Sequence, residues 1–375
     1  MTPKVLQVIY SLYRGGAERI IAAQILGTDR RRFEHLVCSI TGGSDLVVQM
    51  SDAGARVFLL GKRRRGDMTA VTKLASIIRR ERIDLLHLHN STGMFWGTLA
   101  QIASGTGAPI VRTEHLPYFP EALPPLFRWV YPRFTKRAGR IICVSGLVRQ
   151  SFAERFPELA GKFVEIPNGI RLQDYSDLPP RAECRARFKL PPDVKLIGTV
   201  GRMVPQKNHK LLIEALSLVR RAVPDAHLAI VGEGELRDGL AAYAADLGVS
   251  ECVSLLGETR DIGHFYGAID VFCLSSDFEG MPLVLLEALA AGVPAVSTEV
   301  EGIHEIMEDG RTGLLVPKGS AQLLAGRIVE LLRDPSRAAG LAANGRKMVR
   351  ERFSAEKMIE AIEAVYEEVL ANRPR

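Results

Sequence analysis

The sequence contains no apolar run that approaches the length of a membrane-spanning helix, so none is predicted. Its five cysteines are scattered without Cys-x-x-Cys spacing, and we expect reduced thiols rather than metal ligands or disulfides. No segment repeats at a solenoid period. The first residues pass directly into a strand pattern without a signal peptide, which predicts a cytoplasmic location.

Short apolar runs alternate with amphipathic stretches along all 375 residues. This alternation predicts an α/β fold of two Rossmann-like domains with parallel sheets. The predicted divisions are a first domain at 1–167, a Pro-rich linker at 168–192, a second domain at 193–352 and a last helix within 353–375. Ligands of such sheets bind beyond the carboxyl ends of the strands, so we expect the site in a cleft between the domains.

The predicted strands of the first domain are Lys4–Ile9, His35–Ile40, Arg56–Leu60, Asp84–Leu88, Pro109–Thr113, Arg140–Val144 and Phe163–Ile166. Those of the second are Lys195–Val200, Ala226–Val231, Cys252–Leu255, Val271–Leu274 and Ala295–Ser297.

Charge is shared unevenly along the chain, whose formal net charge is +6. Lys and Arg exceed Asp and Glu in residues 1–165, whereas acidic residues are in excess in the remainder. The difference indicates an anionic surface or acceptor facing the first domain, with drift in surface charge as the alternative.

The stretch from Asp277 to Ser297 carries the clearest chemical signal. Polar residues follow an apolar strand run, the chain turns at Gly280, and Pro282 is predicted at the first position of a helix. Glu279 then lies in the turn, and Glu287 lies in the second helical turn.

Backbone N–H groups at the start of that helix, those of Leu283 and Val284, form a predicted site for an anion such as phosphate. The carboxylates of Glu279 and Glu287 flank this site. The arrangement suits a ligand with a central phosphate and hydroxyls at both ends, which is the shape of a nucleoside diphosphate sugar. The alternative is that both glutamates are solvated charges on a helix surface.

Glycine-rich and basic loops follow two other predicted strands. Gly15 and Gly16 open a helix after the first strand, where backbone N–H groups can approach a ligand. In the second domain, Asn208 is predicted to cap the helix that follows the strand Lys195–Val200. Arg202 and Lys207 also follow this strand, and both cations are predicted to face the ligand. Surface solvation is the alternative for each of them.

Three histidines lie at or near predicted strand ends. His115 is a candidate site residue, with a loop histidine bonded to a backbone carbonyl as the alternative. His87 and His89 lie two residues apart and therefore on one face of a strand. A zinc pair would lack a third ligand with usable spacing. We predict hydrogen-bonded polar residues and no metal, with His89 lining the acceptor side.

These motifs resemble those of retaining glycosyltransferases of family four, which have the GT-B fold. The two glutamates are similar to the family's Glu-x7-Glu motif, Gly15–Glu18 to its Gly-Gly-x-Glu loop, and Gly201–Asn208 to its Gly-Arg-x-x-x-x-Lys-Asn element. The resemblance covers nearly the whole chain. It departs at Glu301–Glu305, where many members have paired glycines, which leaves the wall beside the sugar undefined.

The resemblance implies catalytic roles for Glu279, His115, Arg202 and Lys207. It also implies donor-binding roles for Gly15, Gly16, Gly201, Arg202, Lys207, Gly232, Gly280, Met281, Leu283, Val284 and Glu287. In such a site the two cations hold the diphosphate and His115 contacts the donor sugar. The last helix, with a stripe that includes Met358, Ile362 and Tyr366, is expected to cross back onto the first domain.

The sequence therefore predicts a retaining glycosyltransferase of the hexosyl type, with a nucleoside diphosphate sugar as donor substrate and no cofactor. No Asp-x-Asp element suited to a metal is evident, so Arg202 and Lys207 are expected to act in the place of a metal. The alternatives are a nucleotide-sugar epimerase of the same shape and a non-catalytic nucleotide-sugar sensor.

Residues 125–140 interleave aromatic and basic side chains, and Lys62–Arg65 adds a second basic cluster. The aromatic residues are Phe127, Trp129, Tyr131 and Phe134. This composition suits an anionic lipid surface, and a core helix with inward aromatics is the alternative. We predict peripheral binding to the cytoplasmic face of a membrane, and an acceptor that is lipid-linked or a glycan, in polysaccharide or glycolipid synthesis. No recognition motif for nucleic acid accompanies the charge.

Overall fold

The structure is a computed structural model that describes residues 2–13, 15–64, 67–117 and 125–372, with the backbone alone at 125–127. The chain divides into two compact units. The first takes Met1–Gly169 and Ala355–Arg375, and the second takes Ile170–Ser354.

A parallel sheet of seven strands forms the centre of the first unit, in the order β3-β2-β1-β4-β5-β6-β7. Its strands are β1 (Lys4–Ile9), β2 (Glu34–Ser39), β3 (Arg56–Leu59), β4 (Leu85–His89), β5 (Ile110–Glu114), β6 (Arg140–Cys143) and β7 (Phe163–Glu165). Its helices are α1 (Gly16–Gly27), α2 (Asp45–Asp52), α3 (Thr69–Arg80), α4 (Asn90–Ser104), α5 (Pro125–Arg137) and α6 (Gly146–Arg155).

The second unit holds a parallel sheet of six strands in the order β10-β9-β8-β11-β12-β13. Its strands are β8 (Lys195–Val200), β9 (Ala226–Val231), β10 (Val253–Gly257), β11 (Val271–Leu274), β12 (Ala295–Glu299) and β13 (Leu314–Pro317). Its helices are α7 (Arg181–Arg187), α8 (His209–Ala222), α9 (Arg237–Asp246), α10 (Ile262–Ala268), α11 (Leu283–Ala290), α12 (Ala321–Arg333) and α13 (Pro335–Arg352).

The central strands are buried because helices cover both faces of each sheet, which explains why their sequences are mainly apolar. In β9, for example, every side chain is buried. The sequence therefore predicted these strands closely, and the predicted α/β class with two Rossmann-like sheets is confirmed. Strand β13 was not predicted.

The interval 168–192, which its composition suggests as a linker, contains helix α7. Arg185 of this helix is buried, because its guanidinium donates to Asp270 Oδ2 at 2.8 Å and to the carbonyl oxygen of Ala268 at 3.0 Å. These bonds attach α7 to the second unit.

The last helix, α14 (Ala355–Ala371), belongs to the first unit and packs against α1 and β5. Its buried stripe includes Met358, Ile362 and Tyr366, as the helical spacing predicted. The predicted return of this helix to the first domain is confirmed.

Each strand order reverses direction at one place, between β1 and β4 in the first sheet and between β8 and β11 in the second. Loops that leave such a pair of strands diverge to opposite faces of the sheet, which opens a crevice at the carboxyl ends. The segments that follow β8 and β11 are 201–208 and 275–282, and these are the segments with the clearest motifs.

Candidate active site

The centre of the candidate site is an ion pair between Lys207 and Glu279, which lie in the loops after β8 and β11. Lys207 Nζ donates to Glu279 Oε1 at 2.5 Å, and Ser276 Oγ donates to the same oxygen at 2.6 Å. The side chain of Glu279 is 7% exposed. A carboxylate so far removed from water is stable only with such donors. The motifs did not predict Ser276, whose one signal is its position three residues before Glu279.

Backbone and side-chain hydrogen bonds hold the two loops together. Asn208 Nδ2 donates to Asp277 Oδ1 at 3.0 Å, and the Asp277 N–H donates to the Gln206 carbonyl oxygen at 2.9 Å. Ser275 Oγ donates to the Lys207 carbonyl oxygen at 3.0 Å. Because both loops are fixed in this way, the Lys207 and Glu279 side chains meet in a defined geometry.

Asn208 also caps helix α8, as its position predicted. Its side-chain oxygen accepts from the Leu211 N–H at 3.3 Å, and its φ of 44° lies in the left-handed region. Asn tolerates this region better than most residues. A single residue thus ends one site loop and anchors it to the other.

Glu287 is fully buried in the second turn of α11. Its Oε2 lies 2.9 Å from the hydroxyl of Tyr266, which also lies 3.1 Å from the Val284 carbonyl oxygen. The burial of Glu287 excludes the alternative that it is a solvated charge on a helix surface. The burial of Glu279 excludes the same alternative for that residue. No motif predicted Tyr266 of α10; the only signal is that a buried tyrosine hydroxyl requires a partner.

Helix α11 begins at Leu283, so Pro282 is the N-cap residue and not the first helical residue as predicted. The Pro282 carbonyl oxygen accepts from the Leu285 N–H at 3.2 Å. The N–H groups of Leu283 and Val284 precede this first bond and have no intrahelical acceptor. The predicted anion site therefore keeps its two N–H groups despite the shift of one residue.

Two glycines allow close backbone contacts between the site loops. A Cβ on Gly302 would lie 2.3 Å from the Gly280 carbonyl oxygen, and one on Gly232 would lie 2.1 Å from the Gly201 carbonyl oxygen. Gly232 also has a φ of 142°, which side-chain-bearing residues rarely adopt. Gly302, within the departing segment Glu301–Glu305, thus packs directly against the backbone of the loop that carries Glu279.

Arg202 and Met281 lie on either side of the ion pair in sequence but differ in environment. Met281 is buried in the loop before α11, whereas the Arg202 side chain is exposed after β8. Within the described residues the structure records no ion pair for Arg202. The structure therefore brings Lys207, Glu279 and Ser276 together but does not join Arg202 to them.

In the first unit, the predicted glycine loop lies at the start of α1. Gly15 is the N-cap residue and Gly16 the first helical residue. A Cβ on Gly15 would lie 2.3 Å from Glu18 Oε2, whereas one on Gly16 would meet no atom within 4 Å. The Glu18 carboxylate is the end of a flexible side chain that can move, so backbone contacts require glycine at neither position. Arg14, between this loop and β1, lies outside the described residues.

His115 follows β5 and contacts His89 at the end of β4. His115 Nε2 and His89 Nδ1 lie 3.4 Å apart, and His89 Nε2 lies 2.6 Å from Gln7 Oε1. Burial lowers the pKa of His115 to about 4, and burial also holds the pKa of His89 well below its usual range. Both rings are thus neutral near pH 7.

His89 is 1% exposed, so it does not line an acceptor surface as predicted. His87 is equally buried: its Nδ1 lies 2.5 Å from the Tyr366 hydroxyl, and its Nε2 lies 2.6 Å from Thr113 Oγ1. The expectation of hydrogen-bonded polar residues is therefore correct for this pair. Across the described residues, no group of three or more His, Cys, Asp or Glu side chains is arranged to hold a metal ion.

The aromatic and basic segment is divided between core and surface. Tyr131 is fully buried against the Arg112 guanidinium, whereas Trp129 is 62% exposed with the Arg133 guanidinium 4.0 Å from its ring centre. Lys136 and Arg137 are exposed. Neither the lipid-facing hypothesis nor the core-helix alternative therefore describes every residue. The Phe127 side chain lies outside the described residues.

The second basic cluster contributes fewer surface cations than predicted. Lys62 is 8% exposed, because its Nζ lies 4.8 Å from the Trp96 ring centre and donates to the Arg64 carbonyl oxygen at 2.6 Å. Arg63 and Arg64 are exposed, and Arg65 lies outside the described residues.

Throughout the described part of the chain, every helix is too short or too polar to cross a membrane.

Family models match both halves of the chain. Residues 14–174 match the model described as Glycosyltransferase Family 4, and residues 180–348 match that of Glycosyl transferases group 1. The crystal structure of Anabaena HepE in complex with UDP and glucose has a TM-score of 0.87 at 22% identity. That alignment covers 98% of this chain and 100% of HepE. The two Rossmann-like units are those of the GT-B fold.

Two relatives share more than 30% sequence identity with this chain. The lipopolysaccharide core biosynthesis glycosyltransferase LpsE of Rhizobium meliloti is 37% identical over 51% of this chain. The matched part spans about half of LpsE, 54% of its length. The phosphatidyl-myo-inositol mannosyltransferase of Mycobacterium leprae is 32% identical over 76% of this chain and 74% of its own length. The chain belongs to glycosyltransferase family 4.

Proposed function

We propose that this chain is a retaining glycosyltransferase that moves a sugar from a nucleoside diphosphate sugar to an acceptor. The observation that carries the proposal is the Lys207–Glu279 pair beside the start of α11, with Glu287 buried in the same helix. A cation, two carboxylates and helix N–H groups at one sheet edge match the phosphates and hydroxyls of such a donor. Membership of the family supports the same conclusion.

The chemistry requires stabilisation of the leaving group. Departure of the nucleoside diphosphate builds negative charge on its phosphates. Lys207, Arg202 and the N–H groups at the start of α11 are the donors that meet this charge. Removal of one such donor from a catalytic site typically costs about 2.7–4 kcal/mol of transition-state stabilisation. These groups fill the role that a metal has in other transferases, so we propose metal-independent transfer.

The carboxylates have separate roles in this proposal. Glu287 binds the ribose hydroxyls, and Glu279 binds the sugar hydroxyls or the positive charge that develops on the sugar. The acceptor hydroxyl attacks from the face that the diphosphate leaves. The bond from the anomeric carbon to phosphate breaks as the glycosidic bond forms, and the departing phosphate oxygen takes the proton of the acceptor. The anomeric configuration is thereby retained.

Incubation with a panel of nucleotide sugars and candidate acceptors tests this proposal, with mass spectrometry of the products and NMR of the new anomeric centre. We expect one donor to give a product heavier than the acceptor by one sugar, with retained configuration. Conversion of the donor without acceptor would favour the epimerase, and binding without turnover would favour the sensor. An inverted product would contradict retention.

We further propose a lipid-linked or membrane-surface acceptor, because the two relatives are named for lipopolysaccharide core and phosphatidyl-myo-inositol substrates. The exposed residues Trp129, Arg133, Lys136 and Arg137 of α5 support binding to anionic lipid. A tryptophan and cations on one helix suit the interface of such a membrane.

Sedimentation with liposomes of increasing phosphatidylglycerol content tests the surface. Each surface cation adds roughly 1 kcal/mol, so Lys136→Gln with Arg137→Gln should weaken binding by about 2 kcal/mol, or about thirtyfold. The matched control is Lys210→Gln with Lys347→Gln, which removes two cations from the second unit. Equal binding to neutral and anionic liposomes at low salt would instead support a soluble acceptor.

A further inference from the structure

The centre of the first sheet contains a buried polar network that the proposed chemistry does not use. Gln7, His87, His89 and Thr113 come from the neighbouring strands β1, β4 and β5, and all are buried. Strands covered on both faces are normally apolar. Polar groups in such a place are costly unless every one is hydrogen-bonded, so the bonds of this network define a single arrangement.

The network is centred on the hydroxyl of Tyr366, which α14 inserts into the first unit. Gln24 Nε2 donates to this hydroxyl at 2.9 Å and Gln7 Nε2 donates to it at 3.2 Å. Two amides therefore occupy its lone pairs, and its one proton is directed to His87 Nδ1 at 2.5 Å. His87 must then carry its own proton on Nε2, which donates to Thr113 Oγ1 at 2.6 Å.

The same amide of Gln7 fixes His89. Because Gln7 Nε2 is a donor to Tyr366, its Oε1 is the atom that faces His89 Nε2 at 2.6 Å. A carbonyl oxygen can only accept, so His89 carries its proton on Nε2 and leaves a lone pair on Nδ1. The Gln24 Oε1 atom holds the Gln7 amide in this orientation by accepting from Gln7 Nε2 at 2.9 Å.

His89 in turn determines the tautomer of His115. The His89 Nδ1 lone pair faces His115 Nε2 at 3.4 Å, so His115 Nε2 is the donor of this pair. A neutral imidazole with a proton on Nε2 has an acceptor nitrogen at Nδ1. The low pKa of His115, which results from burial, keeps the ring in this neutral form near pH 7.

We propose that Gln7 is a positioning residue that acts through His89 to hold His115 in its Nε2–H tautomer, so that Nδ1 can accept a hydrogen bond from a hydroxyl of the donor sugar. Tyr366 and Gln24 hold the Gln7 amide for this purpose. The assignment of the tautomer stands on the geometry alone, whereas the sugar contact rests on the proposed function.

The test is NMR of the full chain labelled with ¹⁵N-histidine, since long-range ¹H–¹⁵N spectra distinguish the two neutral tautomers. The His115 signals are assigned by their loss in His115→Asn. We expect a single Nε2–H tautomer for His115 in the unmodified chain, and a mixture of tautomers in Gln7→Met, which has a similar volume but neither amide group. The matched control Leu6→Met, buried on the opposite face of β1, should retain the single tautomer.

Activity gives a second and separable readout. Loss of one positioned hydrogen bond is worth about tenfold, so Gln7→Met should lower kcat/KM for the donor by about that factor while Leu6→Met does not. An Nδ1–H tautomer in the unmodified chain, or an unchanged His115 tautomer in Gln7→Met, would overturn the inference. Absence of sugar transfer by the unmodified chain would overturn the proposed function. The ¹H–¹⁵N spectra would still test the tautomer of His115 independently.

Discussion

The second sheet and the first sheet place their candidate site residues by different means. In the second, Lys207 and Glu279 lie on loops at the ends of neighbouring strands, and short bonds between those loops fix them. In the first, His115 is held by side chains within the sheet, and the network that holds it extends to the last helix. Sites of the first kind can be found from local motifs, whereas those of the second kind depend on the complete fold.

The sharpest test of the second sheet is Lys207→Ala. Loss of a cation that meets leaving-group charge should lower kcat by about a hundredfold to a thousandfold. It also leaves the buried Glu279 carboxylate with Ser276 as its remaining hydroxyl donor. Lys210→Ala, an exposed lysine on α8, is the control for a lost charge. Steady-state kinetics with circular dichroism would check both variants, and a near-normal rate in Lys207→Ala would contradict the assignment.

The next largest effect is expected at Glu287. Glu287→Ala should lower kcat/KM for the donor by about a hundredfold, because it removes a carboxylate from the proposed ribose site. Tyr266→Phe keeps the carboxylate and removes only its hydroxyl neighbour at 2.9 Å, so we expect a smaller loss, of about tenfold. Steady-state kinetics at varied donor concentration would measure the loss of kcat/KM in each of the two variants. Equal losses in both variants would indicate that Glu287 acts through structure alone.

In the first sheet, Tyr366→Phe should affect stability more than turnover. It removes the hydroxyl from the network and leaves Gln24 Nε2 and His87 Nδ1 without that partner. Such a change costs about 1–3 kcal/mol of unfolding free energy. Urea unfolding would measure this loss of free energy, and amide exchange in β1 and β4 would measure it locally. Tyr243→Phe in the second unit is the matched control, since its hydroxyl bonds to Glu214 near the surface, and it should cost less.

The smallest expected effect is that of a chelator. The proposed leaving-group site uses Lys207, Arg202 and backbone N–H groups, so turnover should be unchanged by an excess of EDTA. Assays with and without added Mg²⁺ or Mn²⁺ would measure this. Activity lost in EDTA and restored by either ion would mean that the second sheet holds phosphate through a metal.

The sequence predicted what depends on neighbouring residues. Strands β1, β8, β9 and β11 have their predicted bounds because each is a short, mainly apolar run of β-strand length. Asn208 was predicted as a cap because its role depends on a residue three positions away. Helix α7 was not predicted, because prolines flank it and its buried Arg185 resembles a surface residue.

What the sequence could not provide are contacts between distant residues. Tyr366 and Gln7 are 359 positions apart, and no periodicity relates a tyrosine on the last helix to a glutamine on the first strand. Lys62 was assigned to a basic surface because it adjoins three arginines, whereas packing over Trp96 buries it. Burial of a charge depends on tertiary neighbours, which composition does not reveal.

The discontinuity of the first unit affects how the chain is made. Residues 1–169 leave the ribosome first, but the Tyr366 hydroxyl that completes their core follows only after the entire second unit. At typical rates of synthesis this delay is about 10–40 s. During that interval Gln24 and His87 lack the Tyr366 hydroxyl as a partner, and the residues that pack against α14 lack that contact. The first unit therefore lacks part of its core until α14 has been synthesised.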